Sequence, residues 1–130
     1  MLNVLVTGGA GYIGSHAVLA LIDAGHRPIV IDNLITGFRW AIADEATFYE
    51  GDINDSELVR KIISEQAIDA IMHFAGSVVV PESVENPLKY YNNNTAKSRS
   101  LIESAVSGGV RHMIFSSTAA TYGIPESSPV

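Results

Sequence analysis

Three glycines at regular spacing are the residues here whose pattern can do chemistry first. Gly8, Gly11 and Gly14 lie within Val6-Thr7-Gly8-Gly9-Ala10-Gly11-Tyr12-Ile13-Gly14-Ser15-His16 and satisfy G-x-x-G-x-x-G, while Gly9, Gly11 and Gly14 satisfy G-x-G-x-x-G. An early glycine permits a positive-φ turn, Gly11 lets the backbone approach a pyrophosphate with no Cβ in the way, and Gly14 lets a helix pack closely on a strand. A diphosphate held there rests on a helix N-terminus, whose unpaired N–H groups and positive dipole end favour an anion. Asp32 closes Pro28-Ile29-Val30-Ile31-Asp32, roughly the 20 residues downstream at which such a turn has its acidic partner. A carboxylate there accepts hydrogen bonds from an adenosine ribose and repels a 2′-phosphate. No arginine follows it immediately, so the pair points to NAD over NADP.

Such a turn works only between a strand and a helix, and the surrounding sequence supplies both. Short apolar runs at 2–6, 29–31, 70–74 and 113–115, with a weaker one at 47–50, predict strands. Their unbroken hydrophobicity is what parallel strands covered on both faces require. Helical spacing predicts a first helix over 13–24, with Ile13, Ala17, Leu21 and Ala24 on one face and Gly25 as the stop. A second helix, capped by Asp55 or Ser56, carries Leu58, Ile62 and Ile63 to about Gln66. Asn86-Pro87 opens a long third one, with an apolar stripe of Leu88, Tyr91, Leu101, Ile102 and Ala105, ending at Gly108-Gly109. Strands joined by helices in this order imply an α/β doubly wound parallel sheet. Three further segments fall at strand ends where a crevice should open: Gly51-Asp52-Ile53, His73-Phe74-Ala75-Gly76 and Phe115-Ser116-Ser117-Thr118.

Composition removes other classes of function. The 130 residues are 47% hydrophobic and 17% charged, which fits one folded core and no disordered segment. A net charge of −6 disfavours nucleic acid and anionic membranes. With no cysteine, disulfides, Cys-ligated zinc, iron–sulfur clusters and thiol nucleophiles drop out. The four histidines have no ligand spacing, so no metal site is expected. No basic region follows Met1 and no apolar run approaches the ~20 residues of a membrane span; a cytoplasmic protein is expected. Val78-Val79-Val80 could touch substrate but is expected to pack in a crossover, and Trp40 to anchor a loop.

The glycine turn, Asp32-Asn33-Leu34, Gly51-Asp52-Ile53, His73-Phe74-Ala75-Gly76, Asn86-Pro87-Leu88-Lys89-Tyr90-Tyr91-Asn92-Asn93-Asn94 and Phe115-Ser116-Ser117-Thr118-Ala119-Ala120-Thr121-Tyr122-Gly123 together resemble the UDP-glucose 4-epimerases of the extended short-chain dehydrogenase/reductase family. The resemblance implies a Rossmann domain that binds NAD. Gly8, Gly11, Tyr12, Ile13 and Gly14 would line the pyrophosphate, Asp32 and Asn33 the ribose, and Asp52 with Ile53 the adenine. Phe74, Ala75 and Gly76 would pass along the middle of the cofactor, with Asn93 and Ser116 nearer the nicotinamide and Thr118 as a catalytic hydroxyl. The substrate implied is a UDP-hexose, oxidised and re-reduced at C4 through a 4-keto intermediate. Val78 departs from the pattern, since many members carry lysine there.

That chemistry also needs a tyrosine phenolate with a lysine one helical turn on, as Tyr-x-x-x-Lys. Four residues after Tyr12, Tyr49, Tyr90, Tyr91 and Tyr122 stand His16, Ile53, Asn94, Thr95 and Glu126. The pair is therefore missing from these residues. The resemblance implies that residues 1–130 are the N-terminal, partial NAD-binding domain without the sugar-nucleotide domain, and inactive alone. A homodimer contact along the long helix is implied too, weakened by loss of the helix bearing that pair. Nucleotide-sugar 4,6-dehydratases, which place an acidic pair after the threonine, fit poorly with Ala119-Ala120. A noncatalytic NAD-binding or redox-sensing module, another nucleotide-sugar epimerase of the family, and a flavodoxin-like domain without dinucleotide are the competing readings.

Overall fold

A computed structural model describes residues 1–124 and 126–127. Five strands, β1 (Asn3–Thr7), β2 (Arg27–Asp32), β3 (Thr47–Glu50), β4 (Ala70–His73) and β5 (His112–Phe115), form one sheet in the order β3-β2-β1-β4-β5. Every pairing is parallel. Helix α1 (Tyr12–Asp23) joins β1 to β2, and α2 (Ser56–Glu65) joins β3 to β4. Between β4 and β5 run α3 (Val80–Glu85), α4 (Pro87–Tyr90), a π-helical segment (Tyr91–Ala96) and α5 (Lys97–Ser107).

The two faces of the sheet account for the unbroken apolar strands. Leu5, Ile29, Ile31 and Ile71 point to a core shared with Val59, Ile62 and Ile63 of α2 and with Leu101 and Ala105 of α5. Their neighbours Val4, Val6 and Val30 point the other way, to a core that holds Val18 of α1. Strands buried on both sides gain hydrophobic stabilisation from every residue, so alternation is lost. Asp55 accepts the Leu58 N–H at 3.0 Å and caps α2 as expected.

Four expectations need correction. The buried face of α1 is Gly14, Ser15 and Val18, while Ile13 and Ala24 are exposed. The cause is steric: a Cβ on Gly14 would stand 2.1 Å from the Gly8 carbonyl oxygen, so α1 turns its smallest residues to the strand and rotates Ile13 away. The long helix does run from Pro87 to Ser107, but with a π segment at its middle and only its C-terminal half buried; Leu88 and Tyr91 are exposed. Met113, Ile114 and Phe115 are exposed on both faces of β5, so this strand's hydrophobicity does not reflect cover by the described residues. Trp40 is exposed and stacks on Phe38 at 5.4 Å between ring centroids instead of anchoring a loop. No helix among the described residues is long and apolar enough to cross a membrane.

The depth of α5 on the sheet gives a direct check. Leu101→Ala is expected to cost about 2–5 kcal/mol, because Leu101 is fully buried. Ile102→Ala, next to it and half exposed, is expected to cost less than about 1 kcal/mol. Urea unfolding of both variants reads the difference.

Candidate functional site

The order of winding reverses between the parallel neighbours β1 and β4, with β2 and β3 on one side and β5 on the other. Open α/β sheets bind ligands at such a switch point, beyond the carboxyl ends of the strands. A crevice of about 1310 Å³ opens there, more than the ~300–1,000 Å³ of a typical small-ligand pocket. Its walls contain Gly8, Gly11, Tyr12, Ile13 and Gly14 from the turn, Asp32 and Asn33 after β2, and Asp52 and Ile53 after β3. Phe74, Ala75 and Gly76 after β4, Asn93 on the π segment, and Ser116 and Thr118 after β5 complete them. Six chain segments distant in sequence thus bring every candidate residue to one cleft.

The turn is built in the Gly8, Gly11, Gly14 phase. Gly8 sits at φ +71°, its N–H bonds the Ile31 carbonyl at 3.0 Å, and its carbonyl accepts the Gly11 N–H at 3.1 Å. Gly11 then caps α1 in extended conformation. Asp32 fastens this turn to the next loop: Oδ2 accepts the Ala10 N–H and Oδ1 the Leu34 N–H, both at 2.9 Å. Leu34 is thereby held at φ +56°, a region that costs a non-glycine residue roughly 1–2 kcal/mol.

Several contributors were not legible as site residues. Ser77 is bracketed by Asn94, whose Oδ1 accepts the Ser77 N–H at 2.7 Å while its Nδ2 donates to the Ser77 carbonyl at 2.9 Å. Asn93 Nδ2 donates to Ser77 Oγ at 2.7 Å. Val78, Val79 and Val80 line the crevice exposed, not packed in a crossover. Lys97, the first residue of α5 directly after the π segment, pairs with Asp52 at 2.5 Å. Burial opposes the Asp52 charge, yet hydrogen bonds from Lys97 and the Asn54 N–H, the Lys97 charge and Asn33 outweigh it and hold the carboxyl below its usual pKa. Only asparagine repetition in Asn92-Asn93-Asn94 hinted at the bracket; nothing local marks Lys97.

Under the crevice floor, His73 joins three elements. Thr7 Oγ1 lies 2.6 Å from His73 Nδ1, His73 Nε2 lies 2.8 Å from Ser98 Oγ, and Ser98 Oγ donates to the Asn94 carbonyl at 2.7 Å. Thr7 Oγ1 also accepts the Ala75 N–H at 3.4 Å. With a neutral ring, one arrangement satisfies all of these: Thr7 donates to an unprotonated Nδ1, and Nε2–H donates to Ser98, whose own proton goes to the Asn94 carbonyl. The ring is neutral in that arrangement, and burial pushes its pKa below the ordinary histidine value.

Comparison with known proteins places this geometry. Residues 4–130 match the model of the NAD dependent epimerase/dehydratase family. The chain belongs to that family. Among its relatives, a UDP-glucose 4-epimerase of Azospirillum brasilense is 54% identical over 128 residues, covering 98% of this chain and 37% of that protein. One from Lactobacillus helveticus is 52% identical over 129 residues, covering 99% and 39%. The crystal structure of the Brucella ovis UDP-glucose 4-epimerase in complex with NAD superposes with a TM-score of 0.91 at 44% identity, covering all of this chain and 40% of that one. The chain therefore spans about two-fifths of the length of the family members it matches.

The His73 network makes stability depend on pH with a definite sign. Its folded pKa lies below the unfolded value near 6.5, so the unfolded chain binds more protons between the two values. Stability is fully present above about pH 6.5 and is lost as pH falls through the folded pKa. Urea titrations from pH 7.5 to 5 should show this slope, and His73→Asn should remove it.

Proposed function

We propose that this chain is the NAD-binding part of a UDP-glucose 4-epimerase, an isomerase that interconverts UDP-glucose and UDP-galactose through a 4-keto sugar. What carries the reading is the convergence of all fifteen candidate residues on one crevice, in a family member whose relatives bear that name. The backbone of Gly8 and Gly11 and the first turn of α1 would receive the pyrophosphate, Asp32 and Asn33 the ribose, and Asp52 with Ile53 the adenine. Phe74, Ala75 and Gly76 would flank the middle of the cofactor, with Asn93 and Ser116 towards the nicotinamide. Bound NAD would supply the hydride acceptor and donor for C4.

Thr118 would hydrogen-bond the sugar 4-oxygen, since it lies on the crevice wall after β5. It cannot remove the proton, because an aliphatic hydroxyl is too weak a base. Tyr90 does not replace the missing phenolate. Partial burial and the hydrogen bond it donates to Glu82 at 2.8 Å push its pKa above the usual tyrosine value, the opposite of what a base at neutral pH needs. The Tyr-x-x-x-Lys pair and a sugar-nucleotide domain would come from the part of the full-length enzyme that these 130 residues do not include.

Calorimetric titration tests the cofactor assignment: NAD is expected to bind, with NADP weaker by about tenfold or more, a penalty near 1.4 kcal/mol. Equal affinities would refute the role given to Asp32. Gly11→Val should abolish NAD binding with an unchanged circular dichroism spectrum, because Gly11 is extended at φ −83° and an added Cβ meets only the Gly8 oxygen at 3.3 Å. With UDP-galactose and NAD, the 130 residues are expected to show no turnover, as loss of a general base costs ~10²–10⁴ in rate before any loss of substrate positioning. A rate within about tenfold of a full-length relative would contradict this.

A further inference from the structure

The Lys97–Asp52 pair differs from the other ion pairs among the described residues. Its side chains are 19% and 32% exposed, whereas Lys61–Glu65, Lys89–Glu82 and Arg99–Glu103 each leave both partners about two-fifths exposed or more. It also joins elements far apart in sequence, the start of α5 and the loop after β3, and both residues line the crevice.

The hydrogen bonds on Asp52 divide unevenly. Oδ2 accepts Lys97 Nζ at 2.5 Å and Asn33 Nδ2 at 3.3 Å, while Oδ1 accepts the Asn54 N–H at 2.9 Å. An ionised carboxylate offers about four acceptor positions and no donor. Three are taken among the described residues, and the one left belongs to Oδ1. Lys97 from α5 and Asn33 from the loop after β2 both reach Oδ2, so together they fix which oxygen remains open.

We propose that Lys97 is a positioning residue for cofactor selection: by holding Asp52 Oδ2 it aims Oδ1 at an exocyclic amino group, so the crevice prefers a 6-aminopurine dinucleotide to its 6-oxo counterpart. This rests on the assignment of the crevice to NAD. A 6-amino group donates to the open position, whereas a 6-oxo group sets one acceptor against another and leaves the carboxylate unsatisfied. Lys97 acts through Asp52 and needs no contact with the cofactor. Without it, the carboxylate keeps its charge but loses the closer and charged of the two partners on Oδ2, leaving Asn33 at 3.3 Å.

The test is to titrate NAD and nicotinamide hypoxanthine dinucleotide into the wild-type protein and into Lys97→Met, Lys97→Arg and Asp52→Asn. Hydrogen bonds to charged groups correspond to about ten- to hundredfold in affinity. The wild type is expected to prefer NAD by about tenfold. Lys97→Met should bring that ratio to near one, and Lys97→Arg should keep most of it. Asp52→Asn is isosteric and tests the acceptor even where Lys97→Met fails to fold; its amide both donates and accepts, so its ratio should also approach one. A Lys97→Met protein that binds both dinucleotides more weakly with the ratio intact would reduce Lys97 to holding α5 on the sheet and overturn the proposal. A wild-type ratio near one would do the same while leaving NAD binding standing. A wild type that binds neither dinucleotide would overturn the NAD assignment itself.

Discussion

At the carboxyl ends of β1 and β4 two parallel neighbours send their chains apart, and a buried neutral imidazole holds them in register. His73 accepts from Thr7 at the end of β1 and donates to Ser98 on α5. Each polar atom in this line has a partner, and an unsatisfied one would cost about 1–3 kcal/mol at this depth. Ser98 passes the line on to the Asn94 carbonyl, so the same histidine ties the two sheet halves to the π segment. A floor whose polar atoms are already bonded to one another leaves less to be ordered when a ligand binds.

Around that floor the chain presents backbone at the glycine turn and uses side chains where loops must be tied. The turn between β1 and α1 leaves no room for a Cβ, which would stand 2.1 Å from the Gly8 oxygen at Gly14 and 2.7 Å from the Ala75 nitrogen at Gly8. Asp32 ties it to the loop after β2, Asp52 ties the loop after β3 to Asn33 and Lys97, and Asn94 ties Ser77. A protein of net charge −6 can thus offer an anion a local surface of N–H groups and a helix N-terminus. Overall charge does not decide what a site this small can hold.

Much of this was legible in the sequence because its causes are local. The interior strands announce themselves, since residues such as Ile29, Val30 and Ile31 are buried on alternate faces and must all be apolar. Asp55 announces α2 through its own cap. What stayed hidden depends on contacts distant in sequence. The rotation of α1 follows from Gly14 meeting Gly8, not from the periodicity of Ile13 and Ala17. Helix α3 was masked by Val78-Val79-Val80, a β-like run, although Pro81 suits a first helical turn. Lys97 looks like any surface lysine until the fold sets Asp52 beside it, 45 residues away. Leu88, Tyr91, Ile114 and Phe115 read as core and are exposed here, because hydrophobicity reports that a surface is to be covered and not by what.

The account stands on the crevice being the dinucleotide site, and amide hydrogen exchange with and without saturating NAD tests that most directly. It predicts slowed exchange in five places at once: the turn from Gly8 to Gly14, the loops after β2 and β3, the Ala75–Gly76 segment, and the amides around Ser116. Amides of α2 and of the far ends of the strands should not change. Protection outside the crevice, or none at saturation, would contradict it.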